Sequence, residues 1–424
     1  MPNEPPHTFF IRRIWIWVLS VGPGIFCAGA AIGTGSVTTM AKSGSQFGLM
    51  LLWVLFLGCL FSGIMMEAIG RFSLVTGDTA LYGIKTRLRY GRIIALLSMI
   101  GVIIGLCSST IGILGLTSNM IYEGLHLFIP GFGLPEYSSV LGIAVIIILI
   151  LYAMLSVGRY SFFEKVLVFF VTLMGVLFII SLFIVMPPTK DIAAGLIPRI
   201  PDIEGGKLMS TAIVGTTMAG VIFVMRPLLM KGKGWNSGNI TDQRKDAAIS
   251  ALLTFIISGS IMGAATGALF HQGRVITRVL DMVYTLEPIA GKYAMAIFLI
   301  GALSAGLSSL FPIMMLPAML ISDYRTGTLD TNSLLFRIIA GVMCILGLTV
   351  PVFGINPITA QIATQVTLVF VLPLVVASIF SLVNNKRDMG EYRAGLLLNL
   401  GIITAFIFSC FIAYTAILAI CELL

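Results

Sequence analysis

The chain has 424 residues, of which 58% are hydrophobic and only 10% are charged, and its mean hydropathy is +1.04. This composition excludes a water-soluble globular domain and predicts a polytopic membrane protein. Apolar runs of about 20 residues predict an all-α membrane protein, because helices satisfy their own backbone hydrogen bonds in lipid. The net charge of +8 is explained by loops that set membrane orientation, so no nucleic-acid partner is expected.

Eleven apolar runs are candidate transmembrane spans. In chain order they cover residues 14–43, 47–71, 93–123, 138–157, 162–186, 207–230, 246–270, 290–322, 335–352, 356–383 and 394–421. Most of the 26 Lys and Arg residues fall in loops on one side of this arrangement. The positive-inside rule therefore predicts a cytoplasmic N-terminus and an external C-terminus. We expect an integral membrane protein of the bacterial inner (plasma) membrane, without a cleaved signal sequence.

Spans one and six are poor continuous helices. Span one contains Gly33-Thr34-Gly35-Ser36 in its middle, and span six contains Gly215-Thr216-Thr217-Met218-Ala219-Gly220. Glycine within a helix costs roughly 0.5–1 kcal/mol relative to alanine, and unwound backbone at membrane depth persists only where it lines a cavity or is packed in protein. Two interrupted spans five apart predict an inverted repeat with a solute site at the facing breaks. The alternative is a face of small residues that lets helices pack closely.

Short motifs follow one another along nearly the whole chain. They are Gly22-Pro23-Gly24, Gly48 to Trp53, Glu67 to Arg71, Arg159-Tyr160 with Glu164, Gly195 to Pro198, Gly301 to Ser309, and Gln365 with Leu372-Pro373. Their order and spacing resemble the NRAMP family of divalent metal-ion transporters. The resemblance implies a single transmembrane domain with the LeuT-type fold. In that fold two inverted five-helix repeats, at about 14–186 and 207–383, are followed by an extra helix at about 394–421.

The family's metal-ligating residues are replaced in this chain. Gly33-Thr34-Gly35-Ser36 stands where the family carries Asp-Pro-Gly-Asn, and Ala219-Gly220-Val221 stands where it carries Met-Pro-His. A second family histidine aligns with Arg226, and a second glutamine of span ten aligns with Val371. The scaffold is therefore predicted to be retained and the chemistry of the site changed.

The family's proton route is also replaced. Its acidic pair in span three aligns with Leu106 and Ser109, and the three histidines, His7, His126 and His271, fall in the tail or in loops. Because proton-driven carriers need a titratable relay, proton coupling by the family route is not expected.

The predicted site is uncharged and rich in hydroxyl groups, and its cargo is left open. The candidate substrate-binding residues are Gly33, Thr34, Gly35, Ser36, Thr216, Thr217, Met218, Ala219, Gly220 and Gln365. The family resemblance implies a divalent cation, although known sites usually offset its charge with a carboxylate. A small polar or anionic organic solute is the alternative, because half-helix N-termini attract anions. A non-transporting sensor or scaffold is the third hypothesis.

No set of metal ligands is assigned. Neither an enzyme nor a cofactor is expected, and the predicted partners are the cargo and the bilayer.

Arg226 is predicted to lie inside span six, about one helical turn from its end. A charge in the hydrocarbon region is costly and normally faces a cavity or a partner, so Arg226 is a candidate charge partner for an anionic cargo. Alternatively, it reaches the cytoplasmic interface or pairs with Glu67, Glu164 or Asp323.

Overall fold

A computed structural model describes residues 33–129, 133–157, 173, 175–177, 179–180, 182–184, 186–201, 203–283, 287–327 and 333–422. Most of predicted span five, and span one before residue 33 with its Gly22-Pro23-Gly24 motif, lie outside these residues.

All the regular elements in the described ranges are helical. The first nine are α1 Thr34–Phe47, α2 Leu52–Thr76, α3 Ala80–Arg87, α4 Gly91–Phe128, α5 Glu136–Val157, α6 Thr189–Gly195, α7 Gly206–Thr217, α8 Gly220–Gly232 and α9 Ile240–Ala268. The rest are α10 Val279–Val283, α11 Glu287–Thr326, α12 Leu334–Gly347, α13 Thr349–Phe353, α14 Pro357–Thr367, α15 Leu372–Asn384, α16 Lys386–Met389 and α17 Leu396–Cys421. The predicted all-α class is confirmed.

Nine stretches within the described residues are long and apolar enough to cross a membrane. They coincide with predicted spans two to four and six to eleven. The fraction of buried residues shows which stretches are central. In the most apolar part of Gly206–Gly232, 94% of the residues are buried, whereas the same fraction for Leu396–Cys421 is 28%. The helices α7 and α8 of span six are therefore central, and α17 is peripheral, with most of its residues not covered by the rest of the protein.

The packing of the central helices has the reciprocal pattern of an inverted repeat. Helix α1 of span one packs on α9 of span seven, and α7 and α8 of span six pack on α2 of span two. Exchanging the two halves of the chain turns each contact into the other, as repeats of opposite orientation require. Helix α4 of span three completes the centre by packing on both α11 and α14.

Glycines allow the closest of these approaches. A Cβ atom on Gly44 of α1 would stand 2.3 Å from the backbone oxygen of Met262 on α9, and one on Gly63 of α2 would stand 2.8 Å from Cβ of Ala251. Small residues permit such close contact between membrane helices. The packing explanation for glycine therefore applies to these positions.

Span ten is interrupted, which the continuous prediction for 356–383 did not include. Helix α14 ends at Thr367 and α15 begins at Leu372. Pro373 has no backbone N–H and its ring clashes with the carbonyl four residues earlier, which kinks or breaks an α-helix; here it stands in the first turn of α15. The connection is tightened instead, since the amide of Leu372 donates to the oxygen of Val369 at 3.1 Å.

Candidate functional site

The first turn of α1 begins at the predicted break in span one. Gly33 is extended, with φ −74° and ψ −174°, and the helix starts at Thr34. The amide of Val37 donates to the oxygen of Gly33 at 3.1 Å, which is the first helical hydrogen bond. The expectation of an unwound Gly33–Ser36 segment is therefore wrong for residues 34–36. The backbone amides at the start of α1 nevertheless have no acceptor within the helix.

The break in span six is present. Helix α7 ends at Thr217, Met218 has φ −114° and ψ 37°, and Ala219 is extended before α8 begins at Gly220. The carbonyl groups at the end of α7 and the amide groups at the start of α8 therefore lack the partners that a continuous helix would supply.

Gln365 of α14 lies where these two interrupted spans meet. A Cβ atom on Gly35 would stand 2.6 Å from Nε2 of Gln365, and one on Gly215 would stand 2.0 Å from the backbone oxygen of the same residue. Only glycine at both positions allows α1, α7 and α14 to approach this closely. The structure thus brings Gly35, Gly215 and Gln365 together.

Gln361 is a site residue that the sequence analysis missed. It lies one helical turn before Gln365, and its Nε2 is 2.7 Å from the position of a Cβ atom on Gly35. Its side chain is 0% exposed, and neither its amide nitrogen nor its amide oxygen has a hydrogen-bond partner. The spacing of four was a usable signal, because residues i and i+4 lie on the same face of a helix.

The hydroxyl groups of the candidate site point in different directions. Ser36 shares a hydrogen bond of 3.1 Å with Ser258 of α9. Thr217 donates to the oxygen of Ile213 in its own helix at 2.8 Å. The hydroxyl of Thr34 is buried without a hydrogen-bond partner. Of these three hydroxyls, that of Thr34 is therefore the one left for a ligand.

The other candidates from span six are all buried. Thr216 is 5% exposed, Met218 is 0% exposed and Ala219 is 6% exposed. A Cβ atom on Gly220 would stand 3.6 Å from side-chain carbons of both Val371 and Val375. The start of α8 is therefore in contact with apolar side chains of α15 and the residue before it, and one of them, Val371, stands where the family has its second glutamine.

Arg226 is neutralised by the protein. It lies in α8 with 0% exposure, and its Nη2 donates to Oδ2 of Asp246 at 2.9 Å and to the backbone oxygen of Gln243 at 3.0 Å, both on α9. A buried charge is tolerated when it is paired and hydrogen-bonded in this way. This pairing gives no support to a role for Arg226 as a partner of an anionic cargo.

Two of the three expected partners of Arg226 were wrong. Neither Glu67 nor Asp323 is among the acceptors that its guanidinium contacts, and Glu164 lies outside the described residues. Span seven was predicted to start at residue 246, which placed Asp246 at the membrane surface. Helix α9 instead starts at Ile240, so Asp246 lies inside the helix, opposite α8.

A polar cavity of about 670 Å³ lies beyond Gln361 toward the end of the molecule predicted to be external. Its lining includes Asn119 of α4, Arg278, and Asn356 with Pro357 at the start of α14. Gly112 lies about two turns before Asn119 in α4, and Gln361 lies about one turn after Pro357 in α14. A Cβ atom on Gly112 would stand 2.4 Å from Oε1 of Gln361. The cavity therefore lies one to two helical turns from Gln361 along α4 and α14.

No group of three or more His, Cys, Asp or Glu residues that could hold a metal ion occurs in the part of the chain that the structure describes. The site that converges on Gln365 offers amide, hydroxyl and backbone groups. Carboxylates do occur around the external cavity, at Glu123 and Glu136, together with Arg278. Among the described residues, those that converge on Gln365 are uncharged, so this part of the chain would meet a positive charge at the central site with neutral groups.

Comparisons with known proteins agree with this architecture. A sequence profile described as "Natural resistance-associated macrophage protein-like" (Nramp) matches residues 24–419. The divalent metal cation transporter MntH of Vibrio campbellii is 23% identical over 379 residues, which cover 89% of this chain and 86% of that protein. The MntH of Mycobacterium leprae is also 23% identical, over 394 residues that cover 88% and 85% of the two chains.

Solved structures share the fold. A mutant of the Eremococcus coleocola manganese transporter superimposes with a TM-score of 0.71 at 15% identity, covering 99% of this chain and 88% of that chain. MhsT in complex with L-phenylalanine superimposes with a TM-score of 0.61 at 13% identity, covering 94% and 98%. The predicted LeuT-type fold is confirmed by these similarities. Because the Nramp profile spans most of the sequence, the chain belongs to the Nramp family and is a membrane transporter rather than an enzyme.

Proposed function

We propose that the protein is a secondary transporter that carries a divalent metal cation across the membrane by alternating access. The observation that carries the proposal is the convergence of α1, α7 and α14 on Gln365, in a chain whose relatives bear the name divalent metal cation transporter. In this mechanism one repeat moves against the other around a fixed central site.

The neutral site implies a particular way of holding the ion. The carbonyl groups at the end of α7 carry partial negative charge, and Gln361 and Gln365 each supply one amide oxygen. Divalent ions such as Mg²⁺ give up their water reluctantly and are often bound through it. We therefore expect the cation to remain partly hydrated and to bind weakly.

A small polar or anionic organic solute is the second candidate cargo. It is favoured by the two amide nitrogens that face Gly35 at the positively polarised start of α1. Half-helix N-termini in transporters of this type point at anionic groups of their substrates.

The proposals on proton coupling and on membrane orientation rest on the amino-acid sequence. Leu106 is 1% exposed and Ser109 is 4% exposed, so neither position offers a titratable group for the family's proton route. We propose transport without that route, in a bacterial inner membrane, with the N-terminus in the cytoplasm and the C-terminus outside. Repeat one covers about 14–186, repeat two about 207–383 and the extra helix about 394–421.

The test is uptake of radioactive Mn²⁺ by proteoliposomes, with Mg²⁺ as competitor. Wild-type protein should give saturable uptake, and Thr34→Val, which removes an unpaired buried hydroxyl of the site, should reduce it several-fold. Thr404→Val is the matched control, because Thr404 is exposed on peripheral α17 and its hydroxyl bonds only within that helix. Folded protein that carries neither ion would reject the metal proposal and leave the organic solute to be tested.

A further inference from the structure

An apolar groove runs between α2 and α9. Its volume is about 370 Å³, and its lining extends from Phe56 and Phe255 at one end to Glu67 and Arg244 at the other. The rings of Phe56 and Phe255 meet edge to face with 5.7 Å between their centroids, and the lining residues between the two ends carry no charge. The groove therefore combines a long apolar part with a single charged end.

Small residues in the lining bring α2 and α9 close together. A Cβ atom on Gly63 of α2 would stand 2.8 Å from Cβ of Ala251 on α9. Leu60 and Leu252 also line the groove, and their side chains are 44% and 58% exposed. Large exposed side chains beside small ones leave a recess that an unbranched hydrocarbon chain can fill.

The length of the groove matches the depth of one bilayer leaflet. Phe56 and Glu67 are eleven residues apart in α2, and Arg244 and Phe255 are eleven residues apart in α9. At a rise of about 1.5 Å per residue both segments are about 16 Å long, which is close to half of the hydrocarbon core of about 30 Å. An acyl chain that starts at the charged end can therefore lie along the whole groove.

The charged end of the groove has an excess of positive charge. Nη2 of Arg71 donates to Oε1 of Glu67 at 2.6 Å, and Nε of Arg244 is 3.9 Å from the same oxygen. One carboxylate therefore faces two guanidinium groups, and the exposed Lys245 follows Arg244 in the chain. The Arg244 side chain is 65% exposed, so its other N–H groups can reach an anion outside the protein.

The place of this end in the membrane favours a lipid as the source of the anion. In the proposed orientation it lies on the cytoplasmic side, where anionic lipids attract Lys and Arg. Basic pockets between transmembrane helices on that side bind lipid head groups. An arginine at the end of a leaflet-deep apolar groove is complementary to a molecule that carries a phosphate at the end of a hydrocarbon chain.

We propose that this groove binds an anionic phospholipid, with its phosphate on Arg244 and one acyl chain between α2 and α9. The site does not depend on which solute the protein carries. It adjoins the buried contacts of α8 and α9, because Gln243 accepts from Arg226 and donates to the backbone oxygen of Glu67 at 2.9 Å. The bound lipid should therefore stabilise the packing of α2 against α9.

The experiment measures thermal unfolding of the full-length protein in detergent micelles during titration with phosphatidylglycerol, the anionic probe lipid. Phosphatidylcholine with the same acyl chains controls for the hydrocarbon, and inorganic phosphate controls for the anion without a chain. Phosphatidylglycerol should raise the unfolding temperature more than either, because a ligand that binds only the folded state stabilises it. Its apparent affinity should fall about tenfold in Arg244→Gln, which removes the charge that holds the phosphate.

Two further variants test the groove itself. Ala248→Phe places a ring in the groove at an exposed position and should weaken phosphatidylglycerol to a similar degree, although Arg244 is intact. Arg92→Gln is the matched control and should bind the lipid like wild-type protein, because Arg92 is exposed near the start of α4 and lies outside the groove. Should Ala248→Phe not fold, Arg244→Gln still tests the proposal, since it changes only an exposed side chain.

Equal effects of the two lipids, or a phosphatidylglycerol effect that is unchanged in Arg244→Gln and Ala248→Phe, overturn the proposal. Stabilisation by inorganic phosphate equal to that by phosphatidylglycerol also overturns it, because the site would then bind free anions without a chain. A third contrary result is no lipid effect together with conversion of a dimer into a monomer by Ala248→Phe, measured by size-exclusion chromatography with light scattering. The groove would then be a contact between two copies of the chain.

Discussion

Arg226 and Asp246 form an ion pair across the interface of α8 and α9, with 2.9 Å between Nη2 and Oδ2. The Arg226 side chain is 0% exposed and that of Asp246 is 5% exposed. Gln243 joins the pair by accepting from Arg226, and its own Nε2 donates to the backbone oxygen of Glu67 on α2 at 2.9 Å. One charged network therefore fastens the second half of span six to spans two and seven.

We expect Asp246→Asn to lower the free energy of unfolding by about 3–5 kcal/mol, because it leaves the Arg226 charge buried without a counter-charge. Thermal or denaturant unfolding in detergent measures the change. Asp242→Asn is the control, since Asp242 lies one turn earlier in α9 and is exposed.

The double variant Arg226→Met with Asp246→Leu should recover most of the lost stability, because apolar residues can replace a buried ion pair at little cost. If Asp246→Asn unfolds like wild-type protein, the pair does not carry the charge balance of this interface.

The sequence was sufficient for the elements whose signals are local. Gly215 and Gly220 flank the observed break at Met218 and Ala219, because glycine weakens a helix wherever it stands. Pro373 carried an equally local signal for the break in span ten. That signal was overlooked because the surrounding run is apolar enough to suggest one continuous helix.

The sequence was insufficient where the answer depends on how helices face one another. Asp246 was missed as a partner because a six-residue shift in the start of α9 decides whether it meets Arg226 or the membrane surface. Residues 34–36 have weak helix propensity, yet they are helical because α1 packs on α9 and α14. Tertiary contacts commonly override propensity in this way.

Gly215→Ala should disrupt the contact between α7 and α14. Its Cβ atom would stand 2.0 Å from the backbone oxygen of Gln365, and a clash with backbone cannot be relieved by a change of rotamer. Overpacking of this kind costs about 1–3 kcal/mol or more. The measurement is the yield of monodisperse protein on size-exclusion chromatography together with its unfolding temperature.

Gly142→Ala serves as the control, because nothing lies within 4 Å of its Cβ position. Normal yield, stability and uptake for Gly215→Ala would show that α7 and α14 are not apposed at this point.

The proposed orientation predicts that Cys421 is reached from outside the cell. Cys421 is exposed at the end of α17, so in a variant with the other cysteines replaced it should react with a membrane-impermeant maleimide added to intact cells. Asn236→Cys, in the exposed loop between α8 and α9, is the control and should react only after the membrane is opened. The opposite labelling pattern would reverse the assigned orientation.

Gly33→Asp should raise the affinity for Mn²⁺, because it places a carboxylate at the position where the family carries one. The backbone of Gly33 is extended, with φ −74°, and an aspartate adopts this conformation without strain. As the residue preceding α1 it can also accept a hydrogen bond from the first turn, but Gly33 is buried, so without metal the carboxylate should lower stability and Mn²⁺ should restore it. A carboxylate ligand offsets the charge of the ion, and we expect calorimetry to show at least about tenfold tighter binding.

Gly33→Ala is the control and should bind Mn²⁺ no more tightly than wild-type protein. Equal affinities for Gly33→Asp and Gly33→Ala would mean that the cation does not bind at the start of α1, and the divalent-metal proposal would then have to place its site elsewhere.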